Sequence, residues 1–467
     1  MANKSPTETF GDFIAAMSGV SEIAVMSGMP VPEAAHHHAK RCVLDWFAAA
    51  VPGGVLPPAT LLPDAVPEDL DRGRARLVPS GRFATARAAA LINGAGSHTV
   101  EFDDIYRDGL YHPGVAVIPA ALALAEETGA DGALFLRAVI AGYEVSNRIA
   151  AAVNPAHYDF WHTTATIGYF GGTASASVLL GLTASEAAHA LASAGTMAAG
   201  LQQAFRAEAM SKPLHAGRAS EGGVLAARMA KAGITGALDI LEGAAGFGAA
   251  MSRDVDWNAA VKGLGSDWTI ERTTQKNHAA CGHVHAAVDA VREIVTTNNI
   301  AAESIQRIEA GSYQKSLEIC GNADPKTAFE AKFSLPYCLG AVIATGAVRI
   351  AAFSPEALAN PTIRDIAAKV EHMVDPECDA AFPRRRSAKV TVETRDGQRF
   401  SHYAQTRKGD PDLPLSDAEL DEKFFELTGD VLGTAARPLR DALWRIDTLA
   451  SLSELPFGTI EAKSAAE

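Results

Sequence analysis

From about residue 9 to residue 250, apolar positions recur at helical spacing and are broken only by short links, which predicts a long succession of helices. Asp131 stands ahead of the stripe Leu134, Val139 and Ile140 as an N-cap, and Thr183-Ala-Ser-Glu186 has the form of a capping box before the Ala-rich stretch to Gly200. His36–His38, between Ala35 and Ala39, fall within a helical pattern and belong to a native helix surface. The texture changes around 250–275. Val288, Val291, Ile294 and Val295 keep helical spacing, but Ser304–Ser312, with Ile305 and Ile308, reads as a strand. Ala388–Thr394 alternates, Asp396-Gly397 supplies hairpin turn chemistry, and Arg399–Ala404 returns antiparallel. After the Pro-rich link Asp410–Pro414, the capping box Ser416-Asp-Ala-Glu419 opens helices that dock back on the first domain. The expectation is a mainly α fold: an all-helical domain from residues 1–270 and 410–467, and a smaller α+β domain over 271–409.

Composition agrees with this pattern. The 467 residues are too many for one ordinary core, and 48% hydrophobic residues with only 7% aromatics favour close helix-on-helix packing. A formal net charge of −14 argues against nucleic acid and anionic membrane, so any anion site must be a local positive pocket. The five cysteines are widely spaced without a CxxC pair, which fits reduced thiols. Met1–Thr9 lacks the pattern of a secretory signal, and the apolar run Gly114–Ala125 is too short to span a bilayer. A cytoplasmic protein with neither membrane nor nucleic-acid partners is expected.

Candidate chemistry gathers at helix starts. In Ser211-Lys-Pro-Leu-His-Ala-Gly-Arg218, Pro213 suits a first helical position, so Lys212, His215 and Arg218 crowd the positive end of a helix dipole. Uncompensated, that costs roughly 0.3–1 kcal/mol per charge; a bound anion would offset it, and so would exposure to water. Asp103 and Asp104 adjoin each other, with His112 shortly after, a grouping that sets ionisation states or simply forms a polar loop. No helical His/Glu spacing supports a metal there, and none is expected. His162, flanked by Trp161 and Thr163, has the surroundings of a partly desolvated acid or base, or of a core histidine bonded to a carbonyl. Lys276 through His285 places Lys276, Cys281 and His283 before another helix; Cys281 with His283 as its base is not separable from a buried, inert thiol. Arg384–Arg386 reads as decoration of the smaller domain's surface. Four such segments together describe a cationic pocket for a small polycarboxylate, with acid/base groups beside a carbon acid.

Asn93 through Asp104 with His112-Pro113, Ser211 through Arg218, Asp239-Ile-Leu-Glu-Gly243 with Gly246-Phe247, and Lys276 through His285 together resemble the MmgE/PrpD family. That family includes 2-methylcitrate dehydratase, cis-aconitate decarboxylase and iminodisuccinate epimerase. The resemblance implies a homodimer, the smaller domain closing over a cleft, and chemistry without a cofactor. Carried over by position, it makes Asp103, His112, Tyr143, His162, Lys212 and Lys276 the acid/base residues, and Asp104, His215, Arg218 and His283 the substrate-binding ones. Overall likeness and length point first to an epimerase of an aminodicarboxylate such as iminodisuccinate. The alternatives are a dehydratase or decarboxylase lyase of the family and, in a different class, a carboxylate-binding protein without catalysis.

Overall fold

The computed structural model describes residues 4–19, 29–205 and 209–458, so the first three residues of the N-terminal stretch read above lie outside it. Helix dominates, as the periodicity predicts, and the chain divides into two compact units: Met1–Thr273 with Ser416–Glu467, and Thr274–Leu415. The principal helices of the first unit are α1 (Pro6–Ser18), α2 (Glu33–Gly53), α3 (Ala86–Ser97), α4 (Gly114–Thr128), α5 (Gly132–Val153), α6 (Thr163–Leu179), α7 (Ala184–Met197) and α8 (Ser211–Lys231). The three capping signals act as predicted. Asp131 Oδ1 accepts from the Leu134 N–H at 2.8 Å, and the Thr183/Glu186 and Ser416/Glu419 boxes are both closed.

At the centre runs α4, buried at every residue from Gly114 to Glu126. A helix apolar all round has no face for water, and this explains why its sequence resembles a short membrane segment. No helix among the described residues is long and apolar enough to cross a membrane. Glycines bring the helices around it to backbone contact. A Cβ on Gly217 would stand 2.2 Å from the Leu91 carbonyl oxygen, and one on Gly223 would stand 2.5 Å from the Gly172 carbonyl carbon. The first approach joins α8 to α3, and the second joins α8 to α6. These crossings fix the relative positions of three helix ends that carry polar side chains.

The last segment of the chain completes this unit. After Leu415 comes an amphipathic helix, Asp417–Leu432, which buries Leu420, Phe424 and Leu427 and packs on α2. Its Lys423 is also buried, with Nζ 2.6 Å from Asp45 Oδ1 and 2.8 Å from the Phe102 carbonyl oxygen.

The second unit is built on a four-stranded sheet. Its strands are β1 (Ile305–Ser312), β2 (Val370–Val374), β3 (Ala388–Thr394) and β4 (Arg399–Ala404), in the order β2-β1-β3-β4. β1 and β2 are parallel and the other pairs antiparallel. Gly397, at φ 84°, sits in the turn between β3 and β4, a conformation open to glycine without a Cβ penalty. Helix His285–Asn298 lies across β3 and β4, burying Val288, Val291 and Ile294.

Candidate active site

The site in the first unit grows from three places where a helix meets a loop. His98 caps the C-terminus of α3, the loop that follows carries Glu101, Asp103, Asp104 and His112, and His162 is the residue before α6. Lys212 and His215 lie in the first two turns of α8. That helix begins at Ser211, two residues ahead of Pro213, because a proline is tolerated anywhere among the first N–H groups that lack an intrahelical acceptor. Lys212 therefore lies inside the first turn. It is buried and ion-paired with the equally buried Glu101, whose backbone takes φ 60°. Part of the compensation expected from an anionic ligand thus comes from the chain's own carboxylate.

Asp103 Oδ2 binds two imidazoles at once, lying 3.0 Å from His98 Nδ1 and 2.7 Å from His112 Nδ1. His112 Nδ1 is also 2.9 Å from the Asp104 carbonyl oxygen. Both of these partners only accept, so Nδ1 of His112 carries the hydrogen and Nε2 is its acid/base atom. Asp104 faces elsewhere. Its Oδ1 accepts from the Gly114 N–H at 3.0 Å and its Oδ2 from the Tyr143 hydroxyl at 2.6 Å. Burial pushes the Asp104 carboxyl up to about 8, against the opposing pull of the Tyr143 hydrogen bond, and burial likewise pushes the Tyr143 phenol far above its ordinary range.

His162 and His215 meet through Nδ1 atoms 3.0 Å apart, so one nitrogen donates and the other must offer a lone pair. Burial lowers His162 well below the usual imidazole range, reinforced by His98, His215, Lys212 and His112; burial, with His98 and Lys212, brings His215 to about 4. Both rings are neutral at pH 7. The His98 ring stacks on His162 with centroids 5.7 Å apart and planes 14° from parallel. His215 also lines a pocket of 410 Å³ with Leu201, Gln203, Ala204, Ala209 and Ser211.

The first unit thus brings Asp103, His112, His162, Lys212 and His215 together, with Asp104 and Tyr143 bonded to each other behind the loop. Arg218 goes elsewhere. It is 55% exposed and pairs with Glu221, which also binds Arg87 at 2.6 Å, because position 218 lies nearly two turns beyond Lys212 on a different face of α8. His98 was missed as a named candidate, although its place six residues before Asp104 at the end of a small-residue helix was visible. His98, Asp103 and His112 offer ligand atoms within 4.8 Å of one another, so a metal-binding geometry does occur despite the absent spacing motif. The separations of 2.7 and 3.0 Å are those of N–H···O hydrogen bonds, and the donor positions fit that reading.

In the second unit Lys276 is buried, and His283 Nδ1 lies 2.8 Å from the Tyr313 hydroxyl. Burial, aided by Arg386, Arg407 and Lys315, drives His283 well below the ordinary range. Arg386 is itself 5% exposed, which corrects the expectation that the whole Arg384–Arg386 run decorates the surface. All five cysteines are buried and outside any disulfide, and Cys338 is pushed well up by burial, as suits inert thiols.

Residues 23–260 match the MmgE/PrpD N-terminal domain and residues 278–446 the MmgE/PrpD C-terminal domain. The chain is similar to cis-aconitate decarboxylase of Homo sapiens, 30% identical over 354 residues, which covers 72% of this chain and 71% of that protein. It is 25% identical over 450 residues to cis-aconitate decarboxylase of Aspergillus terreus, covering 91% of both chains. To the cis-aconitate decarboxylase-like protein oryM of Aspergillus oryzae it is 24% identical over 451 residues, covering 91% of this chain and 93% of that one. With both domains matched in order along most of its length, the chain belongs to the MmgE/PrpD family.

Proposed function

We propose that this protein is a lyase that removes carbon dioxide from a small unsaturated tricarboxylate of the cis-aconitate kind. The observation that carries the reading is the cluster of buried Lys212 and His162 with half-buried His112 and His215 around the Asp103 loop, in a chain whose relatives bear the decarboxylase name. That name favours the lyase over the iminodisuccinate epimerase expected first, for which only the shared family speaks.

The chemistry asks little beyond such a cluster. The carbon–carbon bond to the departing carboxylate breaks, its electron pair becomes a new carbon–carbon double bond, and the electrons of the old double bond move to the carbon beside a remaining carboxylate. That carbon then takes one proton, so one carbon dioxide leaves and one proton enters. The conjugated carboxylate is the electron sink, and cations beside it stabilise the developing charge. Lys212 supplies one, since an ammonium has three donor hydrogens and pairing with Glu101 is compatible with a substrate contact. His112 is assigned the proton return, with Asp103 stabilising the charge it holds while loaded. Neutral His162 and His215 orient a carboxylate or relay the proton. On the family resemblance, Lys276 is carried forward as an acid/base group and His283 as a substrate-binding one.

The test is to incubate the purified protein with cis-aconitate in D₂O. Release of carbon dioxide with one deuterium entering the product at carbon is expected. Deuterium exchange into iminodisuccinate without loss of carbon dioxide, and no turnover of cis-aconitate, would overturn the lyase in favour of the epimerase. His162→Gln is expected to lower kcat by about 10²–10⁴-fold if the ring transfers a proton. The acid limb of the wild-type profile should lie below the usual imidazole range, since burial keeps His162 neutral there.

A further inference from the structure

We propose that His98 is a positioning residue, which holds Asp103 in place and through it fixes the tautomer and orientation of His112. Its Nδ1 hydrogen goes to Asp103 Oδ2, the oxygen that also accepts from His112 at 2.7 Å, so two donors pin one carboxylate atom. Its side chain is wholly buried, its ring lies edge to face with His112 at 4.9 Å, and its other face stacks on His162. Among the described residues Nε2 has no hydrogen-bond partner, and the single polar contact that His98 makes there through its ring is the one to Asp103.

Burying an imidazole with one ring nitrogen unsatisfied is unfavourable, and an apolar side chain of similar bulk would avoid that penalty. Packing alone therefore does not explain a histidine here, whereas orienting a carboxylate that serves a proton-transfer residue does. With the His98 donor removed, Oδ2 loses one of the hydrogen bonds that hold it, and the carboxylate gains freedom to rotate. His112 then keeps the Asp104 carbonyl but has a loosened carboxylate as its other Nδ1 acceptor, which weakens the hold on its ring orientation and on its Nδ1–H form.

The kinetic part of the test rests on the lyase reading; the spectroscopic part does not. His98→Leu removes the donor, whereas His98→Asn puts an amide nitrogen near the place of Nδ1 and keeps it. Long-range ¹H–¹⁵N spectra of the substrate-free protein are expected to show His112 in the Nδ1–H form in wild type and His98→Asn, and a tautomer mixture in His98→Leu. On cis-aconitate, His98→Leu should lose about 10–100-fold in kcat with KM little changed, and His98→Asn should recover most of it. Where His98→Leu fails to fold, His98→Gln replaces it, since its amide reaches the Nε2 position instead. An unchanged His112 tautomer in the donor-less variant, or an Asn variant no better than it, overturns the proposal. If wild type does not turn over cis-aconitate, the functional reading fails while the tautomer comparison still decides the role of His98.

Discussion

At the residue scale, adjacent carboxylates have opposite duties. Asp103 serves two histidines, whereas Asp104, one position on, is turned toward Tyr143 and the start of α4 and held largely protonated. Its raised pKa has a definite sign. Between the unfolded carboxyl's ordinary value and about 8, the folded protein keeps a proton that the unfolded chain has released, so this group's contribution to stability falls as pH rises. The denaturation midpoint of Asp104→Asn should therefore climb relative to wild type from pH 5 to pH 8. A constant difference would show Asp104 ionised in the fold. Lys212→Ala takes the ammonium away from the buried Glu101 carboxylate, with an expected loss of about 3–5 kcal/mol in chemical denaturation as well as of turnover. Sequence pointed to Asp103, His112, His162, Lys212 and His215 because charged and titratable residues at helix starts need a reason. It could not show that Glu101 neutralises Lys212, since that pairing crosses 111 residues, nor that Arg218 faces solvent, which depends on how α8 is rotated in its packing.

At the element scale, caps and turns were legible because each is a local contract between neighbours: Asp131 with Leu134, Thr183 with Glu186, Asp396-Gly397 between two strands. Helix crossings were not, since a glycine's sequence says nothing of the backbone opposite. Gly217 and Gly429 separate these cases. Gly217→Ala drives a methyl into the Leu91 carbonyl and should cost about 1–3 kcal/mol, moving Lys212 and His215 away from the Asp103 loop and lowering activity. Gly429, in helix Asp417–Leu432, has nothing within 4 Å of an added Cβ, and Gly429→Ala should stabilise by about 0.5–1 kcal/mol through helix propensity alone. Thermal midpoints of the two variants, with opposite signs, check both statements.

At the scale of the whole molecule, the first unit is assembled from two stretches of chain separated by the 142 residues of Thr274–Leu415. The last stretch is structural and not an appendage. It seals α2 with Leu420, Phe424 and Leu427, and it neutralises Asp45 through Lys423. Ending the chain at residue 415 should leave that apolar face and a buried carboxylate uncovered, giving aggregated or protease-sensitive protein by limited digestion. The same topology orders events during synthesis. The second unit is continuous in sequence and is complete when Leu415 emerges, while the helices that bear the site must wait for the residues that follow Leu415. For most of translation the ribosome therefore presents a long, sticky, half-finished helical surface, and it is there that the nascent chain has the greatest call on a chaperone.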